Sequence, residues 1–123
     1  MPTMSPIVVD IPIRTISEAN VREHWAKRAK RSKQQRGLAQ LLVEGALGQR
    51  VIYGGTVTLV RLGPRRLDPD NLAGSAKHVQ DGVADALGID DGDARIRWEY
   101  QQEKSKDYGV RVVITPAKGD SHA

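Results

Sequence analysis

Residues 7 to 13, IVVDIPI, alternate with Ile7, Val9, Ile11 and Ile13 on one side, the period-two pattern of a strand with one buried face. Pro12 cannot donate to a ladder, which predicts an edge position or the strand's end. A long helical stretch is expected next, with Thr15 or Ser17 as its cap and Val21 and Trp25 one turn apart. It runs on through GLAQLLVEGAL, where Leu38, Leu41, Leu42 and Leu47 form a packing face and Gly37 marks a point where the helix can bend. Tyr53-Gly54-Gly55 reads as a turn and Thr56 to Leu62 as a second strand. Leu72, Ala76, Val79, Val83 and Leu87 recur at spacings of four, three, four and four, an apolar stripe that predicts a second helix ended by Gly88. Arg95 to Glu103 alternates again, with Ile96, Trp98 and Tyr100 on the buried side, and Val110 to Thr115 is expected to form a hairpin with it. The order β-α-β-α-β-β predicts an α+β fold: one small domain over residues 1–123, with two helices against a mixed four-stranded sheet. Residues 1–6 and 116–123 are expected to be flexible tails.

Composition narrows the setting. With no Phe and five aromatic residues, Trp25, Tyr53, Trp98, Tyr100 and Tyr108, the core must be built from Val, Ile, Leu and Ala. The absence of Cys excludes a disulfide framework and a thiolate metal site, and suits a reducing compartment. No apolar run approaches the roughly 20 residues of a membrane span, and no signal-peptide core is present, so a soluble, cytoplasmic protein without membrane contact or organic cofactor is expected.

Charge is unevenly distributed. Residues 1 to 67 carry twelve Lys or Arg against four acids, residues 68 to 93 one against seven, and residues 94 to 123 six against four. A basic chain with one acidic island suits an enzyme acting on a polyphosphate, which needs positive surface for the backbone and a negative pocket for a metal.

The island is RRLDPDNLAGSAKHVQDGVADALGIDDGD, residues 65 to 93. Pro69 drives Asp68 into an extended conformation, which predicts that Asp68 and Asp70 point the same way, with Asp70 or Asn71 capping the helix that follows. Lys77 lies seven residues after Asp70, nearly two turns along that helix. If the strands before and after the helix are neighbours, the acidic turn Asp90-Asp91-Gly92-Asp93 can meet the Asp68-Pro69-Asp70 segment. Converging carboxylates need a cation or raised pKa values. Oxygen-only ligation suits Mg²⁺, with Mn²⁺ as the alternative, and such sites hydrolyse phosphate esters. The spacing is not that of an EF-hand, since the D-x-D-x-D-G loop with its closing Glu is missing. Taken singly, Asp-Pro-Asp-Asn is a turn with a cap and Asp90 to Asp93 a polar turn. Their placement on both sides of one amphipathic helix is what favours a site.

Asp68-Pro69-Asp70-Asn71-Leu72, Lys77-x-x-x-Asp81, Asp85-Ala86-Leu87 and Asp90-Asp91 together resemble the D-x-D-N-L, K-x-x-x-D-A-L and D-D pattern of RusA-type Holliday junction resolvases, small phage or prophage endonucleases. The resemblance implies a Mg²⁺-dependent endodeoxyribonuclease acting as a homodimer on branched DNA, the four-way junction, in the cytoplasm of a bacterial host. It implies catalytic roles for Asp68, Asp70, Asp91 and Lys77, with Asp68, Asp70 and Asp91 holding the metal and Asp90 as a further ligand. One departure stands out: the family lysine follows the second aspartate by four residues, where this chain has Gly74. Ala73, Gly74 and Ser75 read as an insertion that moves Lys77 along the helix by about 4.5 Å.

Two basic groups are candidates for phosphate contact: Lys27, Arg28, Lys30, Arg31 and Lys33 on the first helix, and Arg65 and Arg66 before the acidic island. The first group also fits an ordinary solvated helix face, and Arg65 and Arg66 fit partners for the nearby carboxylates. His24 reads as a surface or core histidine and Trp98 as core. Asp81 and Asp85 share a helix face and need cations nearby, with Lys77 the expected partner of Asp81 and solvent or a partner facing Asp85. Two other functions fit the same residues: a non-catalytic branched-DNA-binding module, and a metal-dependent hydrolase of small nucleotides.

Overall fold

The computed structural model describes residues 5–16, 24–90 and 92–117. Ser17, Val21 and Asp91 lie outside the described residues. Four strands, β1 (Ile7–Ile11), β2 (Gly55–Gly63), β3 (Ile96–Lys104) and β4 (Gly109–Pro116), form one mixed sheet in the order β1-β4-β2-β3. With helices α1 (Trp25–Leu47), α2 (Pro69–Ser75) and α3 (Lys77–Leu87), the chain is a small α+β unit. β1 buries Ile7, Val9 and Ile11, ends before Pro12 and sits at the sheet edge, as its pattern predicts.

The last two strands do not form a hairpin. β3 runs parallel to β2, while β4 crosses the end of β2 and pairs antiparallel to both β2 and β1. Ser105 N–H donates to the Gly63 carbonyl at 2.9 Å where the chain makes that crossing. The exchange has a physical reason. Between two partners, β4 buries Val110, Val112 and Ile114 almost completely, whereas a hairpin beside β3 would leave it at an edge.

α1 begins at Trp25, with His24 at its N-cap accepting a hydrogen bond on Nδ1 from the Ala26 N–H at 3.2 Å. Thr15 is not the cap; it is buried beside β2. Gly37 does not interrupt the helix. Its buried stripe is Gln35, Ala39, Val43 and Leu47, with Leu38 and Leu42 partly buried. Leu41 and Trp25 point outward, 65% and 74% exposed. Gln35 is tolerated in the stripe because its Nε2 donates to the Arg14 carbonyl at 3.1 Å, satisfying a polar group that would otherwise be costly to bury.

The expected second helix is two. The chain breaks at Ala76, with φ −91° and ψ −3°, directly after Ala73-Gly74-Ser75. The apolar stripe survives the break: Leu72, Ala76, Val79 and Val83 are buried and Leu87 is partly so. Gly88 closes α3 in the left-handed conformation, φ 72° and ψ 31°.

α3 packs on α1 through a backbone-level contact at Gly82. A Cβ there would lie 2.3 Å from the Arg36 carbonyl oxygen and 2.7 Å from Ala39 Cβ. On the rim of the same contact, Arg36 donates to both oxygens of Asp85, at 2.6 and 2.9 Å, so Asp85 faces α1 rather than solvent alone. The hydrogen bonds from Arg36 hold the Asp85 carboxyl below its ordinary pKa.

Gly82→Ala should destabilise the fold by about 1–3 kcal/mol through overpacking, visible as a lower thermal midpoint. Gly74→Ala, with nothing within 4 Å of its new Cβ, should not. Arg36→Ala should lose at most about 1 kcal/mol at neutral pH, since the pair is half exposed. Because Asp85 is depressed in the folded state, that loss is full above the unfolded pKa of about 3.9 and vanishes as pH falls through the folded value. Denaturant titrations of both proteins between pH 7 and 2 check the sign.

Candidate functional site

β2 and β3 share one core-facing file, set by the pairings Val57↔Trp98, Leu59↔Tyr100, Arg61↔Gln102 and Gly63↔Lys104. The first two pairs pack in or against the apolar core. The next two turn polar at the carboxyl ends of both strands. There they open a cavity of about 340 Å³, whose lining includes the cations Arg61, Arg65, Arg66 and Lys104, the acid Glu103, and Gly63, Pro64 and Gln102.

Arg61 is 94% buried, at 6% exposure, and sits in a slot where the strand period calls for an apolar residue. Its Nε donates to Thr15 Oγ1 at 3.2 Å and its Nη1 to the Arg65 carbonyl at 2.5 Å. Nη2 makes no further hydrogen bond among the described residues, and no buried side-chain nitrogen or oxygen lacks a partner, so Nη2 opens onto the cavity. Burial lowers the pKa of the guanidinium; the Tyr108 hydroxyl opposes this and Arg14 adds to it. Gly63 makes the space, since a Cβ there would stand 3.0 Å from Nη2.

The loop after β2 is tied to β3 by one side chain. Gln102 Oε1 accepts from the Leu67 N–H and its Nε2 donates to the Leu67 carbonyl, both at 2.8 Å. Asp68 follows at once, extended at φ −63° and ψ 153° as the residue before a proline should be. It is Asp68, not Asp70 or Asn71, that holds the N-cap position of α2, and its carboxylate makes no capping hydrogen bond. Asp70 lies in the helix's first turn, so the extended-chain argument for parallel carboxylates stops at Asp68. Both side chains are exposed, and neither forms an ion pair among the described residues. Arg65 and Arg66, two and three residues before Asp68, likewise pair with no carboxylate among the described residues.

The acidic turn is elsewhere. β2 and β3 are neighbours, but parallel ones, so the start of β3 lies beside the start of β2. The Asp93 carbonyl accepts from the Ile96 N–H, which fixes the turn at that end. Leu67 is level with Gln102, six residues up the strand. At about 3.3 Å per residue the two ends are about 20 Å apart, so Asp90 and Asp93 do not meet Asp68 and Asp70 within one chain. Asp93 is also engaged: Arg95 donates to both of its oxygens, at 3.0 and 2.8 Å, and holds its pKa down to about 2. Among the described residues no three acidic or histidine side chains gather as a metal cage.

Lys77 opens α3 and its Nζ lies 2.9 Å from Asp81, the expected i, i+4 pair. The three residues by which it departs from the family spacing fall where the helix breaks, so the offset changes direction as well as distance. On α1, Lys27, Arg28, Lys30 and Lys33 are exposed and Arg31 half-buried, and no residue from Trp25 to Gln34 is buried. His24 is an exposed capping residue. Trp98 packs against the core. Arg61, Gln102 and Lys104 were not among the sequence candidates. The signal for Arg61 was present: Val57, Leu59 and then an arginine in the third inward slot.

No described helix is long and apolar enough to cross a membrane. No protein-family model matches the chain. It is 36% identical over 94 residues to an uncharacterized protein of Xylella fastidiosa, a match that covers 72% of this chain and 61% of that protein. The chain therefore spans about three fifths of this relative's length. Among solved structures, a mutant FtsZ of M. jannaschii shares 16% identity over 91% of this chain and 28% of its own, with a TM-score of 0.39. A likeness that loose carries no argument.

Proposed function

We propose that the chain is a RusA-type, Mg²⁺-dependent endodeoxyribonuclease that resolves four-way DNA junctions as a homodimer. One observation carries the reading: two exposed carboxylates, Asp68 and Asp70, follow directly in sequence on a cleft where four cations outnumber one acid, Glu103, and form no ion pair among the described residues. Phosphodiester hydrolysis needs both signs of charge side by side, since the cations hold the DNA backbone and the carboxylates keep a divalent ion next to it. The donor set fits a hard ion, because Asp68 and Asp70 offer oxygens free of other hydrogen bonds, and Mg²⁺ is commonly held by one or two carboxylates plus substrate phosphate. When bound, the ion supplies an activated water and neutralises charge developing on the phosphate.

Within this reading each side chain has a task. Gln102 holds Leu67, and so fixes where Asp68 begins. Arg65 and Arg66 grip phosphates that flank the cut. Lys27, Arg28, Lys30, Arg31 and Lys33 follow the backbone further away along α1. Lys77, oriented by Asp81, approaches the scissile phosphate from the start of α3. Asp91, and Asp90 beside it in sequence, complete the acidic set from the second copy. The parallel topology bars Asp90 from doing so in its own chain, and paired nicking of a symmetrical junction calls for two-fold symmetry in any case.

The separation of the two acidic segments also favours the reading of a non-catalytic branched-DNA binder, and metal-dependent nicking decides between them. Asp70→Asn should bind a synthetic junction like the parent and cut it at least a hundredfold more slowly with Mg²⁺; unchanged cutting overturns the assignment. Complementation tests the shared site. Asp70→Asn and Asp91→Asn chains should each be inactive, and mixing them should restore nicking, because one of the two sites then has both acidic segments intact. If the parent cuts and the mixture does not, the site lies within one chain. Replacing Lys27, Lys30 and Lys33 together with Ala should make the slope of log K against log salt shallower by about 2–3; an unchanged slope removes α1 from the interface.

A further inference from the structure

Among the described residues, Arg36 meets Asp85, Arg95 meets Asp93, Arg97 meets Glu99, and Arg111 meets Asp10 and Glu103. The cleft at the carboxyl ends of β2 and β3 is different. Arg61, Arg65, Arg66 and Lys104 converge there and meet no carboxylate among the described residues. The acid in its lining, Glu103, contacts Arg111 at 3.5 Å and leaves the cleft with four cations against one carboxylate. A buried, uncompensated cation is expensive, and burial already lowers the pKa of Arg61. Its geometry is nonetheless fixed: two of its nitrogens are committed to Thr15 and to the Arg65 carbonyl, and Gly63 leaves room beside the third.

We propose that this cleft is a phosphate subsite, with the buried Arg61 guanidinium as its rigid anchor and Arg65, Arg66 and Lys104 as its rim, that holds one backbone phosphodiester of the DNA. The choice of DNA as the owner of the phosphate rests on the nuclease reading above; the anion site itself does not. A guanidinium with a free Nη edge donates to phosphate oxygens in a plane and without reorganisation, which a flexible surface lysine cannot do. The cavity of about 340 Å³ is some ten water volumes at about 30 Å³ each, space for a phosphodiester with part of its sugar. Open parallel strand ends are also where ligands of α/β sheets bind. The subsite lies one residue from the Gln102-held Leu67 and two from Asp68, so the phosphate it holds is a neighbour of the scissile one.

The test uses the whole protein in metal-free buffer with EDTA. The arginine Nε–Hε signals are followed by NMR while inorganic phosphate, and separately the dinucleotide TpT, are titrated in. The Arg61 signal should shift saturably with both probes. Arg65→Ala/Arg66→Ala should weaken TpT at least tenfold, and Gly63→Ala, whose Cβ crowds the guanidinium, at least fivefold. Arg61→Lys should lower affinity for a four-way junction about tenfold, with its unfolding midpoint measured alongside. An Arg61 signal that moves with neither probe overturns the subsite even if the parent still binds and cuts junctions, and this arm needs no substitution that could unfold the protein. If both probes bind at Arg61 but the parent holds no DNA, the anion site stands and the nuclease reading falls.

Discussion

The parallel pairing of β2 with β3 governs the rest of the molecule. Parallel neighbours cannot be joined by a tight turn, so the chain must cross back over the sheet, and α2 and α3 carry it. The crossover has to lie on something. α3 lies on α1 at a distance only glycine permits, with the Gly82 backbone against the Arg36 carbonyl and Ala39. Once that seat is taken, both strands deliver their carboxyl ends to the same end of the sheet, where the loop after β2 and the end of β3 form the two walls of one cleft.

At that end the sheet changes character. Its core-facing file is aliphatic and aromatic as far as Leu59 and Tyr100, and polar from Arg61 and Gln102 onward. The fold tolerates a nearly enclosed arginine because Thr15 and a backbone carbonyl satisfy part of it, yet no carboxylate neutralises it among the described residues. Arg36, Arg97 and Arg111 pair with acids elsewhere on the helices and sheet, whereas this cleft keeps four cations against the single acid Glu103. The acids that follow in sequence stand outside its lining, Asp68 at the N-cap of α2 and Asp70 in its first turn. Opposite signs held apart by rigid backbone are what a phosphate and a divalent ion can bridge together, which is the ground of the proposed phosphodiester chemistry.

The same constraint separates what looked adjacent. Asp90 and Asp93 follow α3 and precede β3, so they belong to the amino end of the ladder. Two acidic segments on either side of one helix are close in sequence and a helix length apart in space. In the proposed dimer a second copy of the chain brings them together, and a two-fold axis does so at two sites at once.

Local sequence alone determined the strands, the long first helix, the stripe Leu72 to Val83 with its stop at Gly88, and the extended Asp68 before Pro69, because each follows from interactions between residues a few positions apart. It also marked Asp68, Asp70, Arg65 and Arg66, whose charges have no local use. Only the tertiary structure decided that β4 enters the sheet between β1 and β2, that Asp85 serves Arg36, that Leu41 faces outward, and that Arg61 and Lys104 join the cleft. Those outcomes depend on which strand lies next to which, and pairing between distant segments is chosen by burial of the whole sheet. An alternating pattern states that one face is buried; it does not state against what.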